Sequence, residues 1–524
     1  MTGTAALLRL ALRLDRVRLT VWVLALAVLP LGTAAQYQKL YPTQADLDAV
    51  AGVLSNPSLE AIGGPLFSAT IGGVTAWKVG STLFILAALM SLLTVVRHSR
   101  TEEETGRAEL LGATVVGRFA PLTAALLTAA IADVAAGALC ALGLIGMGLP
   151  VAGSVAFGLA IALSGLMFAG IAAFVAQFTS SARTANAISS AVLAASFLLR
   201  AVGDAGAAPL NWVSPLGWLI HLRPYAGERW WIAALAVGLA AVLAVGAYGL
   251  VRRRDVGAGL LPDRLAPAQA APSLRSPLAL AWRLHRGLLI GWAAGMFVAG
   301  VAFGGVGDTV SSGFTDNSQL TDVLQKLGGT TGFTNAFFAA CLGIVAIAVA
   351  AYTVQATLRM RAEESAGLLE PLLATAVGRL RWAASHLFFA LLGTALIIAL
   401  TGVGMGLSYG AQIGDIGQVG RLLGAAAVQI PAAWVLAGFG TALFGLVPRV
   451  SSLAWAALVA CVAVLEVGLL LGLPQWAIDI SPFAHVPKLP GQAFSAAPEV
   501  WLVVAAAALG AAGLAGFRRR NISA

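Results

Sequence analysis

The glutamates able to do chemistry in this chain are few, and seven of the eleven fall in a segment that is written twice. R-T-E-E-E-T-G-R-A-E-L-L-G-A-T-V-V-G-R runs from Arg100 to Arg118, and R-A-E-E-S-A-G-L-L-E-P-L-L-A-T-A-V-G-R from Arg361 to Arg379, 261 residues on and without a gap. Glu102, Glu103, Gly106, Glu109, Leu111, Thr114, Gly117 and Arg118 correspond one to one with Glu363, Glu364, Gly367, Glu370, Leu372, Thr375, Gly378 and Arg379. Acids at the start of a short amphipathic helix with a leucine-rich face suit docking into a groove of a soluble partner. The copies differ at Glu104 and Arg107, which become Ser365 and Leu368, so the two docking sites are expected to be similar but not identical. Three further ionisable residues, Asp133, Arg200 and Glu466, lie inside long apolar runs. A charge there is costly and points to function by default.

The elements that carry these residues follow from composition. The 524 residues are 59% hydrophobic and 10% charged, with a mean hydropathy of +0.88; a soluble domain would be roughly 25% charged. The chain reads as an all-α polytopic membrane protein. A crossing helix needs about 20 apolar residues, because lipid offers no partner for backbone polar groups. Twelve runs meet that need: 18–36, 77–96, 120–147, 152–178, 184–203, 230–251, 286–305, 336–358, 383–408, 423–447, 452–473 and 498–517.

Arginines cluster before the first run and after the second, sixth, eighth and twelfth, as at Arg97–Arg100, Arg252–Arg254, Arg359–Arg361 and Arg518–Arg520. Basic loops mark the cytoplasmic side. Both termini and both copies of the repeated segment are therefore expected inside a multi-pass bacterial plasma-membrane protein. The formal net charge of +9 is then mostly this bias, and a nucleic-acid partner is not indicated. Cys140, Cys341 and Cys461 all fall within apolar runs, which argues against a disulfide framework or a zinc site.

The halves correspond beyond the repeated segment. Leu10–Arg16 aligns with Leu280–Arg286, Trp22 with Trp292, and the Arg252–Arg254 run resembles Arg518–Arg520. Each half reads as one six-span unit in the same orientation, a parallel repeat: residues 1–251, a cytoplasmic linker 252–277, and residues 278–524. Residues 5–17 carry arginines on one helical face and leucines on another, suiting a helix in the headgroup plane. Thr43 can cap a short helix carrying Leu47, Val50 and Leu54, and Asp316–Leu327 is a similar segment before the eighth run. The linker, rich in Ala, Pro and Arg, reads as a tether.

At the repeated segment the chain resembles the ABC-2-type exporter permeases. Their connection after the second span typically reads E-x-E-x-G-T-x-E-x-L-L-x-T-P-V-x-R and forms a coupling helix on the nucleotide-binding subunit. Both copies match at the Glu, Gly, Glu, Leu, Thr and Arg positions, and depart at Gly106-Arg107, Gly367-Leu368, Thr114-Val115 and Thr375-Ala376. The fused layout resembles the tetronasin-type polyketide-antibiotic permeases. The resemblance implies a separate ABC ATPase, two copies as a homodimer, holding ATP and Mg, with no cofactor on this chain. A P-loop needs a lysine after glycine; Lys39, Lys78, Lys326 and Lys488 do not follow one. The substrate class implied is a hydrophobic or amphipathic small molecule drawn from membrane lipid. From the offset between halves, Arg200 is expected to approach Glu466 as part of an outward gate, and Asp133 to bond a neighbouring helix or bind a cationic substrate. The alternative is a proton-coupled secondary exporter of the major facilitator type, whose repeated motif is instead of the G-x-x-x-D-x-x-G-R-R kind.

Overall fold

The structure is a computed structural model. It describes residues 2–54, 63–204, 208–255, 257–261, 269, 271–312, 329–467 and 474–521; the side chains of Leu111 and Glu466, among others in the helices, lie outside the described set. Among the described residues the regular structure is helical, without a strand. Eleven helices among the described residues are long and apolar enough to cross a membrane. The run at 452–473 is described only as Leu453–Val467, 15 residues. At 1.5 Å per residue that is about 22 Å, short of a bilayer core of about 30 Å; residues 468–473 lie outside the described part.

The chain divides into two compact units, Met1–Ala266 and Pro267–Ala524. In the first, α1 (Thr4–Leu14) is followed by the long helices α2 (Arg16–Leu40), α3 (Ile71–Val96), α4 (Ala120–Gly146), α5 (Val151–Val175), α6 (Ala182–Asp204) and α7 (Trp231–Val251). The most interior are α3 and α5, around which α4, α6 and α7 pack. Small residues set these distances: Gly137 on α4 and Gly158 on α5 face each other so closely that a Cβ on either would run into the other's carbonyl oxygen. Packing without side chains at such crossings is how apolar helices associate where water supplies no drive.

The second unit contains α8 (Pro277–Ser312), α9 (Gly329–Thr357), α10 (Arg379–Ile413), α11 (Ile430–Leu446), α12 (Leu453–Val467) and α13 (Ala496–Arg519). Helix α10 packs along α8 and α9, and α11 along α13.

The amphipathic N-terminal segment forms α1, with Arg9, Leu10, Arg13 and Leu14 exposed. It is separated from α2 at Asp15, which is 1% exposed and takes Arg97 at 3.1 Å and His98 at 2.7 Å. Thr43 caps the helix Gln44–Leu54 as expected, its hydroxyl accepting from the Asp46 N–H at 3.3 Å while the Asp46 carboxylate accepts from the Thr43 N–H at 3.1 Å. The expected segment Asp316–Leu327 lies outside the described residues. The linker departs from a free tether at its start. Leu260 and Leu261 donate their N–H groups to the carbonyls of Gln177 and Phe178 at 3.1 and 3.0 Å.

Candidate functional site

Each copy of the repeated segment folds as two short helices rather than the single amphipathic helix expected. In the first copy they are Glu102–Glu104 and Arg107–Gly112; in the second, Arg359–Ser365 and Leu369–Leu373. The break is a glycine in the left-handed region, Gly106 at φ 74° and Gly367 at φ 69°, a backbone that other residues adopt only with strain. The Gly367 N–H donates to the Glu364 carbonyl and the Leu368 N–H to the Glu363 carbonyl, both at 3.0 Å. This pair of bonds closes a helix end and turns the chain. Glu102 and Glu103, with Glu363 and Glu364, thus sit at the end of the helix leaving the membrane run, not at the start of a docking helix. Glu109 and Glu370 occupy the first turn of the second short helix, and both are exposed.

The turn aims Glu103 inward in the first copy, and Glu364, with Glu363 beside it, in the second. Glu103 accepts two hydrogen bonds from the Arg254 guanidinium, at 2.6 and 2.7 Å, one from Arg100 at 2.9 Å and one from the Gly257 N–H at 3.2 Å. Glu364 accepts two from Arg520, at 2.6 and 2.8 Å, and one from Arg361 at 3.3 Å, with its side chain fully buried. A third arginine closes each group: Arg118 donates to the Arg254 carbonyl and Arg379 to the Arg520 carbonyl, each at 2.7 Å. Corresponding residues therefore build the same node twice, tying the end of the second long helix of the unit, the start of the third and the residues just after the last. Parallel N–H···O pairs between guanidinium and carboxylate fix orientation as well as distance.

The leucine-rich face also turns inward in the second copy. Leu369 is 1% exposed, and Leu372 and Leu373 pack with it on Met360, Trp382, Phe444 and Phe517. The expectation of a leucine face free for a partner is corrected there: burial on those aromatics is where its apolar area leaves water. What the segments leave outward is Arg107, Glu109, Leu110 and Val115 in one, and Leu368, Glu370 and Pro371 in the other, with Leu110 75% and Val115 86% exposed. Glu102 is half-buried, 3.5 Å from Arg107, and Glu363 is buried against Arg359 at 2.7 Å.

The membrane-depth charges have local partners. Asp133 is fully buried and accepts the Ser91 hydroxyl at 2.7 Å, a bond from α4 to α3, with Gly165 of α5 against its carboxylate. At the 261-residue offset the position is Thr394, whose hydroxyl lies 2.7 Å from that of Thr353. Arg200 is 1% exposed, 3.4 Å from Asp204 one turn on and 3.2 Å from the Ser81 hydroxyl, with the Phe197 ring at 4.7 Å. Asp204 also accepts from the Asn211 amide at 2.7 Å. The expected partner, Glu466, has a side chain outside the described set, and Arg200 is met within its own unit by an acid that the four-residue spacing could have revealed. The arginine runs at 252–254 and 518–520 read in the sequence as topology signals and as one of the correspondences between the halves; their inward-directed members Arg254 and Arg520 are not distinguishable there from their neighbours.

Long apolar helices, small-residue crossings and paired buried charges define an α-helical polytopic membrane protein. Residues 274–518 match the family described as "Multidrug efflux system permease Rv1217c, C-terminal domain". Over its full length the chain is similar to the multidrug efflux system permease protein Rv1217c of Mycobacterium tuberculosis (strain ATCC 25618 / H37Rv), 45% identical over 525 residues that span 99% of this chain and 95% of the relative. The chain belongs to this family of multidrug efflux system permeases.

Proposed function

We propose that this chain is the membrane-spanning permease of an ATP-driven exporter of the ABC-2 type, in a fused form like the tetronasin-type antibiotic permeases, and that it moves hydrophobic or amphipathic drug-like compounds out of the cell. The observation that carries this reading is the duplicated segment: two outward-facing surfaces, each held by the same Glu–Arg–Arg node, one per unit. Two equivalent docking surfaces on one chain match a partner that is itself a homodimer, and an ABC ATPase is such a partner, with ATP and Mg held on its subunits and no cofactor on the permease. Residues 1–251 and 278–524 are then parallel six-span repeats joined by residues 252–277, with both termini and both segments on the cytoplasmic side of the plasma membrane. Arg97, Arg107, Arg252 and Arg381 around the segments support that orientation by the positive-inside bias.

Closure of the ATPase dimer on ATP draws the two segments together and shifts the membrane helices from an inward to an outward opening. Substrate enters from the inner leaflet, where apolar helix faces offer a drug more contact than a water-filled path would. The drug class comes from the relative's name and from the apolar interior; Arg200, Glu466 and Asp133 remain candidates for the translocation path.

The test is transport by the permease co-purified with its ATPase. In inside-out vesicles a lipophilic fluorescent dye should accumulate on addition of ATP, and vanadate should stop it. Accumulation that follows an imposed proton gradient without ATP would overturn the reading in favour of a secondary exporter.

A further inference from the structure

We infer that Arg254 and Arg520 are positioning residues that carry movement of the docking segments into the last helix of each unit. The inference rests on the docking reading above. A segment linking two helices could yield to a partner by flexing at its glycine, Gly106 or Gly367, and pass nothing on. The node limits that freedom by holding the chain on both sides of the glycine, through Glu103 or Glu364 before it and through Arg118 or Arg379, each bonded at 2.7 Å to the carbonyl of the same partner arginine, after it. Glu103 lies three residues before Gly106 and is gripped by a two-bond fork from Arg254, which follows α7; Glu364 is gripped likewise by Arg520, which follows α13 directly. The guanidiniums are themselves seated. Arg254 donates through Nε to the Gln177 side chain at 2.7 Å, and Arg520 stacks over Phe444 and Phe517 at 5.0 and 5.2 Å.

From there the path stays within each unit and runs through close-packed backbone. A Cβ on Gly170 of α5 would lie 3.1 Å from the Ala240 carbonyl of α7, and one on Gly438 of α11 would lie 2.6 Å from the Ala506 carbonyl of α13. Helices in such contact shift together. A push on the exposed face of the segment thus reaches the last helix of the unit through the fork, and the fourth long helix through the glycine contacts. Lysine in place of either arginine would keep the charge but present a single point donor without the planar fork.

The experiment uses the full permease with its ATPase in lipid vesicles, reading ATP hydrolysis and dye export together. The variants are Arg254→Gln with Arg520→Gln, and Arg254→Lys with Arg520→Lys. Expected is that dye exported per ATP hydrolysed falls at least tenfold in the Gln pair and less in the Lys pair, in complexes that still assemble. Export per ATP unchanged in the Gln pair overturns the inference. So does a parallel loss of hydrolysis and export, which would make the arginines shapers of the docking face. If the Gln pair does not fold, the charge exchange Glu103→Arg with Arg254→Glu, joined to Glu364→Arg with Arg520→Glu, takes its place; export recovered above either half-exchange supports the inference and no recovery overturns it. Failure of the unsubstituted chain to bind any ATPase would instead mark the docking reading as wrong, and this inference would fall with it.

Discussion

Removing the Glu364 carboxylate is the sharpest probe of the node, because its surroundings fix the size of the effect. Glu364 is fully buried and accepts two short bonds from Arg520, with Arg361 at 3.3 Å. Glu364→Ala leaves the Arg520 guanidinium largely enclosed without its counter-charge, a loss of about 3–5 kcal/mol for a buried pair broken on one side. Glu103→Ala should cost less, about 1–2 kcal/mol, for a structural reason. Once the acid is gone, Arg254 keeps the Gln177 side chain at 2.7 Å and the Ala258 carbonyl at 3.2 Å as acceptors, and Arg100 keeps the Ala176 carbonyl at 3.0 Å, so neither guanidinium loses all its partners. Arg520→Met retains apolar contact with Phe444 and Phe517 but forfeits the stacking of the cation, about 0.5–2 kcal/mol, and leaves the buried Glu364 with Arg361 at 3.3 Å in place of the two-bond fork. The double variant Glu364→Ala with Arg520→Met strands neither group. Its cost should fall short of the sum of the singles by about 2 kcal/mol or more, about a 30-fold difference in local opening. Hydrogen exchange of residues 361–373 and of the last turn of α13, read by mass spectrometry in lipid nanodiscs, measures that opening. Additivity of the two substitutions within about 0.5 kcal/mol would refute the idea that the fork holds the segment to α13.

Other outcomes follow from the same contacts. Gly106→Ala and Gly367→Ala meet no atom within 4 Å, so their cost is the left-handed backbone alone, about 1–2 kcal/mol, and should appear as faster exchange confined to the segments with the long helices unchanged. Gly165→Ala drives a methyl into the Asp133 carboxylate and should lower thermal stability by about 1–3 kcal/mol or more; a melting temperature equal to that of the parent would contradict the packing of α5 on α4. Ser91→Ala strands Asp133 and should cost about 1–3 kcal/mol, whereas Asp133→Asn keeps an acceptor for the Ser91 hydroxyl and should stay within about 1 kcal/mol. Export of a cationic dye by Asp133→Asn tests the role directly: near-parental export marks an interhelix bond, and selective loss of cations marks a substrate site.

Composition and run length made the helical membrane class legible, since each apolar run must satisfy its own backbone in lipid. The repeated segment was legible as well, and its glycines are the residues that shape it. Its inner and outer faces were not. Leu369 and Leu372 look like a docking stripe until Trp382, Phe444 and Phe517 come beneath them, and the last two lie more than 70 and 140 residues further along the chain. Nor does an arginine run reveal which member turns inward, because lipid headgroups and a buried acid draw the same residue type to the end of a helix. Asp204 was the more accessible miss: a four-residue spacing from Arg200 on a helix is a pairing distance in itself.

The differences between the copies acquire another meaning from these contacts. Glu104 and Ser365 occupy equivalent positions, and the sequence suggests that they tune two docking sites. The Glu104 carboxylate instead accepts the N–H of Ala182 at 3.0 Å, the first residue of α6, while Ser365 donates to the Ala362 carbonyl of its own short helix at 3.1 Å. An acid at a helix start satisfies a backbone donor that has no partner within the helix, and it is favoured by the local positive end of the dipole. The first segment is therefore bound to α6 as well as to α7, and α6 is the helix that carries Arg200 and Asp204. The Ser365 hydroxyl bond stays within its own segment. Under the docking reading, two identical ATPase subunits would thus press on segments that lead to different sets of helices, so that asymmetry enters the permease through its internal ties rather than through the strength with which each surface is bound.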